Sequence, residues 1–202
     1  LFDTHWVTDL NLFNPASNDV TARLAFLPAG QDNTDVPEVE VAVAAAAAHE
    51  ERDVVGGLLS SAGSGALRIR TTTELIVSSR TYNTAATGTF GQFIAGTRRD
   101  QAFSGSCTQL VGLSENGGFH SNLGLANATA EPIEVTIWLY SASFEELPPL
   151  TRWLPAFGWM QINRIFHDEG FDDITGGTAI VCNPSTEAAI VTYASVVDDG
   201  TG

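Results

Sequence analysis

The sequence predicts an all-β chain built as two tandem antiparallel β-sandwich domains. Three observations predict it: an internal repeat, apolar residues alternating with a period of two, and turn-forming residues spread along all 202 positions. The 19 Gly and eight Pro among them mark frequent turns between short strands rather than one disordered tract.

The repeat is seen by setting "TDLNLFNPASNDVTARLAFLPAG", from Thr8, against "SNLGLANATAEPIEVTIWLYSAS", from Ser121. With Asp9 on Asn122, the residues Leu10, Leu12 and Asn14 fall on Leu123, Leu125 and Asn127 without a gap. Val20, Ala22, Leu24 and Phe26 then fall on Ile133, Val135, Ile137 and Leu139. These four alternate with other residues, the signature of a strand with one buried face. The β-branched content of "IEVTIWLY" supports a strand as well. "NPASND" and "NATAEP" are clusters of turn formers, so each copy is expected to open with a β-hairpin. "NAT" at Asn127 is also a glycosylation sequon, but the turn role already accounts for its asparagine.

The next elements follow from the same alignment. The alanine run at 44–48 favours a helix by propensity. Its counterpart, "LTRWLPAFGWMQI", holds Pro155 and Gly158, which a helix interior resists. A strand, a bend and a second strand are therefore expected in both copies. Beyond them Asp53 lies against Asn163, each an N-capping residue followed by apolar residues and glycine, which predicts a helix of one or two turns. "GALRIR" from Gly65 then matches "GTAIVC" from Gly177, and "LIVSSRTYN" from Leu75 matches "AIVTYASVV" from Ala189. Each is read as a strand pair across a short polar turn. Six or seven short strands per copy fit antiparallel sandwiches of the immunoglobulin-like kind. The expected domains are 1–96 and 107–202, joined by a polar linker over 97–106 inside "AGTRRDQAFSGS".

Two strand-like pieces stand outside the repeat. "GTFGQFI" (88–94), with Gly88, Phe90, Phe93 and Ile94, follows the first copy. "CTQLVGL" (107–113), with Leu110 and Leu113, precedes the second. Neither has a counterpart at the opposite end of its sister. The expectation is one open sheet edge per domain, with these segments as candidates for strand exchange between chains.

Composition narrows the partners. Acidic residues number 24 against nine basic ones, for a net charge of −15, and every basic residue is arginine. Such a surface repels phosphate backbones and anionic lipid, which argues against nucleic acid and membrane surfaces as partners. The longest apolar run, "VAVAAAAA" (41–48), is far short of the roughly 20 residues that cross a bilayer. A chain that starts at Leu1 fits a processed secreted protein or a piece of a longer one. Cys107 and Cys182 permit a single disulfide that would tie the leading strand to the second domain, and no C-x-x-C pair supports zinc or redox chemistry.

No catalytic residues emerge. A G-x-S-x-G elbow is missing, "SAGSGA" resembling it only superficially, and "GGLLSSAGSG" lacks the strand-to-helix context of a phosphate loop. "HDEGFDD", with His167, Asp168, Glu169, Asp172 and Asp173, does not reproduce the spacing of a calcium loop, and neither does "QDNTD" (31–35). Both are read as solvated acidic loops, with calcium the one cofactor they leave open. The aromatic residues are the better candidates: Trp138, Tyr140, Trp153, Phe157 and Trp159 all lie in the second copy, against Trp6 as the only tryptophan of the first. Trp138 and Tyr140 alternate with the core row and so point off the other face, toward an interface or a sugar ring.

The segments "TDLNLFNP", "SRTYN", "GTFGQFI", "FHSNLGLAN" and "YASVVDDGTG" resemble repeats of secreted bacterial proteins, and the strand-turn-strand openings resemble CARDB-like modules. That resemblance implies an extracellular or cell-surface module without catalysis. The function expected is structural or adhesive, with identical subunits joining head to tail into a filament. A carbohydrate-binding module and accessory domains of a larger secreted enzyme are the alternatives.

Overall fold

The computed structural model describes residues 5–85 and 88–200, and its regular structure is almost entirely β. In the first repeat the strands are β1 (Trp6–Phe13), β2 (Val20–Pro28), β3 (Val39–Val43), β4 (Ala48–Glu51), β5 (Gly65–Arg70), β6 (Ile76–Ala85) and β7 (Gly88–Ala95). The second has β8 (Ser106–Glu115), β9 (Phe119–Asn127), β10 (Ile133–Tyr140), β11 (Leu150–Leu154), β12 (Trp159–Ile162), β13 (Ile174–Asn183) and β14 (Ile190–Asp198).

The chain forms two compact units, Leu1–Leu27 with Asp35–Thr97, and Pro28–Thr34 with Arg98–Gly202. The segment read as a linker is thus mostly part of the second unit. It holds a 3-10 turn at Arg99–Gln101, and Phe103 exchanges backbone hydrogen bonds with Ile190.

Each unit is a sandwich of two antiparallel sheets. The first has the strand orders β4-β1-β6-β7 and β3-β2-β5, the second β12-β9-β14 and β11-β10-β13-β8. Six strands correspond one to one, and the seventh is added to a different sheet in each unit: β7 beside β6, β8 beside β13. In constant-type immunoglobulin sandwiches strands one, two, five and four share a sheet, so the sandwich here has its own strand order. The alternating row of β2 and β10 lines the cores. Val20, Ala22, Leu24 and Phe26 are buried, as are Ile133, Val135, Ile137 and Leu139, and Leu10, Leu12, Leu123 and Leu125 face them from the opposite sheets.

The asparagine turns are not hairpins. β1 and β2 lie in different sheets, as do β9 and β10, so the chain arches from one sheet to the other. Asn14 is fully buried, accepts the Ala16 N–H on its side-chain oxygen at 3.0 Å, and donates from its amide to the carbonyls of Asn18, Val43 and Ala44. Asn127 repeats this: it accepts from the Thr129 N–H at 3.0 Å and donates to Glu131 and Pro155. One side chain therefore ties the arch to the bend that follows β3 or β11, and it satisfies carbonyls that burial would otherwise leave unpaired. That bend carries the alanine run, a strand-bend-strand as the repeat predicts. Ala46 and Phe157 take its left-handed position with φ of 52° and 49°. The β5–β6 and β13–β14 links are also arches between sheets.

Two alignments shift by one residue. Leu12 pairs with Val77 and Leu125 with Thr192, so Val77 corresponds to Thr192 and not to Val191. Asp53 corresponds to Arg164 and not to Asn163: both have left-handed backbone (φ 47° and 49°), and their N–H groups donate to Asp9 and Asn122. Asp53 caps a short π-helical turn, Val54–Leu58, by accepting from the Gly56 N–H. The second unit has a 3-10 turn at His167–Glu169 instead. Gly65 and Gly177 correspond as aligned. A Cβ on Gly65 would lie 2.4 Å from the Leu27 carbonyl oxygen and one on Gly177 3.1 Å from that of Tyr140, the residue equivalent to Leu27.

Candidate functional site

The chemistry-bearing residues of the second unit gather on the outer face of the β11-β10-β13-β8 sheet and at one end of β8. Along β10 the core row is Ile133, Val135, Ile137 and Leu139, so Glu134, Thr136, Trp138 and Tyr140 face outward by the period of two. Glu134 pairs with Trp153 of β11, and Trp138 with Ile180 of β13. Trp153 is 58% exposed, whereas Trp138 and Tyr140 are half-buried. The Tyr140 ring stacks on Phe144 with centroids 4.4 Å apart, and its hydroxyl donates to Glu146 at 3.2 Å. Desolvation first, and then that carboxylate, push the Tyr140 hydroxyl above its ordinary pKa.

The five aromatics do not form one platform. Trp159 is buried in β12, on the other sheet, where Ala29 forms a parallel bridge with it and the Gly30 N–H donates to its carbonyl. Phe157 lies in the bend before β12, its N–H bonded to Thr129 and its carbonyl accepting from Asn33. Trp138, Tyr140 and Trp153 alone share a face, which offers aromatic stacking surface but few convergent polar groups.

Beside Trp138 the disulfide Cys107–Cys182 links directly opposed residues of β8 and β13, with Cα atoms 4.1 Å apart. Thr136, Trp138, Pro184 and the two cysteines line a shallow hollow of about 340 Å³. At the far end of β8, Glu115 is 1% exposed and accepts from the Arg164 guanidinium at 2.6 Å. The left-handed turn at Arg164 sets this residue within 3.6 Å of Asp199, which pairs with His120. Glu115, His167 and Asp172 bring donor atoms within 4.8 Å of one another, a set that could hold a cation. Their actual partners are protein groups: Arg164 takes Glu115, and His167 bonds to Asp172, whose hydrogen bond and charge raise the imidazole pKa. The acidic loop at 167–173 thus sits beside this ion-pair network, with Asp168, Asp172 and Asp173 exposed as read from the sequence.

Sequence reasoning passed over two residues. Asn33 lies in "QDNTD", read as a solvated loop, yet it is fully buried and donates to the carbonyls of Pro28, Gln31 and Phe157. Asp32 and Asp35 beside it are exposed, as expected. Glu115 was also missed. Its signal is its place two residues after Leu113, an acid on the buried row of a strand. Asn127 is 2% exposed with its amide fully engaged, so the sequon nitrogen faces the interior of the folded unit.

The strand-exchange segments are engaged at home. β7 pairs with β6 along its whole length, with Gly88, Phe90, Phe93 and Ile94 in the ladder, and β8 pairs with β13 through Leu110 and Leu113. Leu113 is 2% exposed. Among the described residues the edge strands on these two sides are β5 and, past the Phe103–Ile190 bridge at its start, β14.

In comparisons with known proteins, no family model matches the chain, and no curated protein or solved structure is significantly similar to it. No helix among the described residues is long and apolar enough to cross a membrane.

Proposed function

We propose that this protein is a non-catalytic structural or adhesive module of the extracellular space or cell surface, and that it self-associates through its open sheet edges. The observation that supports this most is the unequal completion of the two units: the seventh strand joins one sheet in the first and the other sheet in the second, which leaves β5 and β14 as unequal edges. Unequal edges on one chain join head to tail, and contacts of that kind extend into a filament where the rotation does not close a ring. The disulfide is compatible with an oxidising compartment. Carbohydrate binding is the weaker reading, because the aromatic residues are divided between two faces. Sedimentation velocity across a concentration series, with electron microscopy of the same samples, tests the proposal. Concentration-dependent growth into linear oligomers is the expected result; a monomer at every concentration would overturn it.

A further inference from the structure

The two units report what happens at the same edge with and without a neighbouring strand. In the second unit β8 lies beside β13, and the β13 core residues Ala179 and Val181 are fully buried. In the first unit Leu67 and Ile69 of β5 occupy the corresponding positions and are only part-buried against the core. The sheet opposite is uncovered at the same place. Leu10 and Leu12 define its inward face, and cross-strand partners share a face. The inward rows of that sheet are therefore Leu10–Ser79–Ile94, Thr8–Thr81–Gln92 and Trp6–Asn83–Phe90. Yet Trp6 is 56% exposed, Phe90 41% and Ile94 38%. Large apolar residues on the core side of a sheet, across from the free edge of β5, outline the berth of one missing strand.

We infer that the β5 edge of the first unit is a binding site for an extended strand of the β8 type, supplied by another polypeptide. Its chemistry follows from β8 itself: an antiparallel segment of roughly eight residues with apolar side chains at the inward positions and no proline. β8 sets Leu113 opposite Gly177, Leu110 opposite Ala179 and Thr108 opposite Val181. The occupant would set the same residue types opposite Gly65, Leu67 and Ile69. Its backbone groups pair with those of β5, and its inward side chains cover Phe90 and Ile94. This is strand addition to an open sheet, where main-chain bonds give affinity and alternate side chains give selectivity.

The inference rests on β5 being an assembly edge, but it is tested apart from assembly. The probe is a peptide of the sequence Ser106–Glu115 carrying Cys107→Ser, added to the full chain while amide hydrogen exchange is followed by mass spectrometry. The expected result is at least tenfold slower exchange across β5, with a second peptide carrying Leu110→Asp and Leu113→Asp giving none. Unchanged exchange at β5 under saturating peptide would overturn the inference, and so would equal slowing by the substituted peptide. Protection of β5 in a chain that sediments as a monomer would uphold the site while overturning self-association.

Discussion

β7 and β8 play the same part in the two units and are held by opposite means. Every residue of β7 is exposed, and it is attached by its ladder to β6 and by contacts such as the Arg80–Thr89 hydrogen bond. β8 is pinned at one end by Cys107–Cys182 and at the other by buried Glu115, which pairs with part-exposed Arg164, with Leu113 in the core between them. The difference teaches that a seventh strand can complete either sheet of this six-strand frame. How firmly it is held depends on the anchors it carries. β8 reaches the core at Leu113 and Glu115, whereas no residue of β7 is buried; each faces a position beyond the last strand of the opposite sheet, β14 or β5.

The disulfide offers the largest expected effect and the sharpest way to break that comparison. The bridge joins residues 75 apart in sequence, and closing a loop of that size constrains the unfolded chain by about 4 kcal/mol. A Cys107→Ser/Cys182→Ser variant is expected to lose about that much stability in the second unit, with the first unaltered. Hydrogen exchange resolved by peptide measures both at once. Equal loosening of β7 would show that the two strands are not independently held.

Side-chain truncation probes the same contrast at a smaller scale. Leu113→Ala removes a fully buried side chain and is expected to cost about 3 kcal/mol, the usual range for a leucine cavity. Ile94→Ala on β7 removes a side chain that is 38% exposed and is expected to cost about 1 kcal/mol or less. Chemical denaturation of each variant checks the pair. Comparable losses would mean that the inward face of β7 is covered after all.

Much of this frame was legible because alternation and duplication are written in the side chains themselves. The β2 and β10 rows, the bend at the alanine run and the two supernumerary strands all follow from residue type and spacing. What was not legible depends on hydrogen-bond partners distant in sequence. Asn14 is recognisably a turn residue, but its amide reaches Val43 and Ala44, and only that contact tells an arch from a hairpin. "LIVSS" and "AIVTY" align letter by letter, yet Val77 corresponds to Thr192 because the pairing with β1 and β9 fixes the register, and a slip of one residue turns every side chain over. Arg164 gives no sign of a left-handed backbone, which asparagine or glycine would have announced. Of the candidate site, the outward face of Trp138 and Tyr140 could be read from period two. The burial of Trp159 could not, because it turns on Ala29 and Gly30, roughly 130 residues earlier in the chain.

The smallest expected effect separates the ends of β8. His167 faces Asp172 and Glu115, with Arg164 nearby, and the hydrogen bond and charge of Asp172 raise its pKa above the ordinary 6.5. A histidine whose pKa is raised on folding binds its proton more tightly in the native state, so its contribution is present in full below pH 6.5 and fades as pH rises through the raised value. The group is half exposed, so solvent screens the pair and the contribution is small. The wild-type protein is therefore expected to lose a little stability in the second unit on going from mildly acidic to mildly alkaline pH, and His167→Gln is expected to flatten that part of the profile. Thermal unfolding of both proteins across this window, with exchange at 167–174 as the local readout, checks it. An unchanged slope in the variant would assign the pH dependence elsewhere and leave the Glu115–Arg164–Asp199 cluster as the electrostatic anchor at that end of β8.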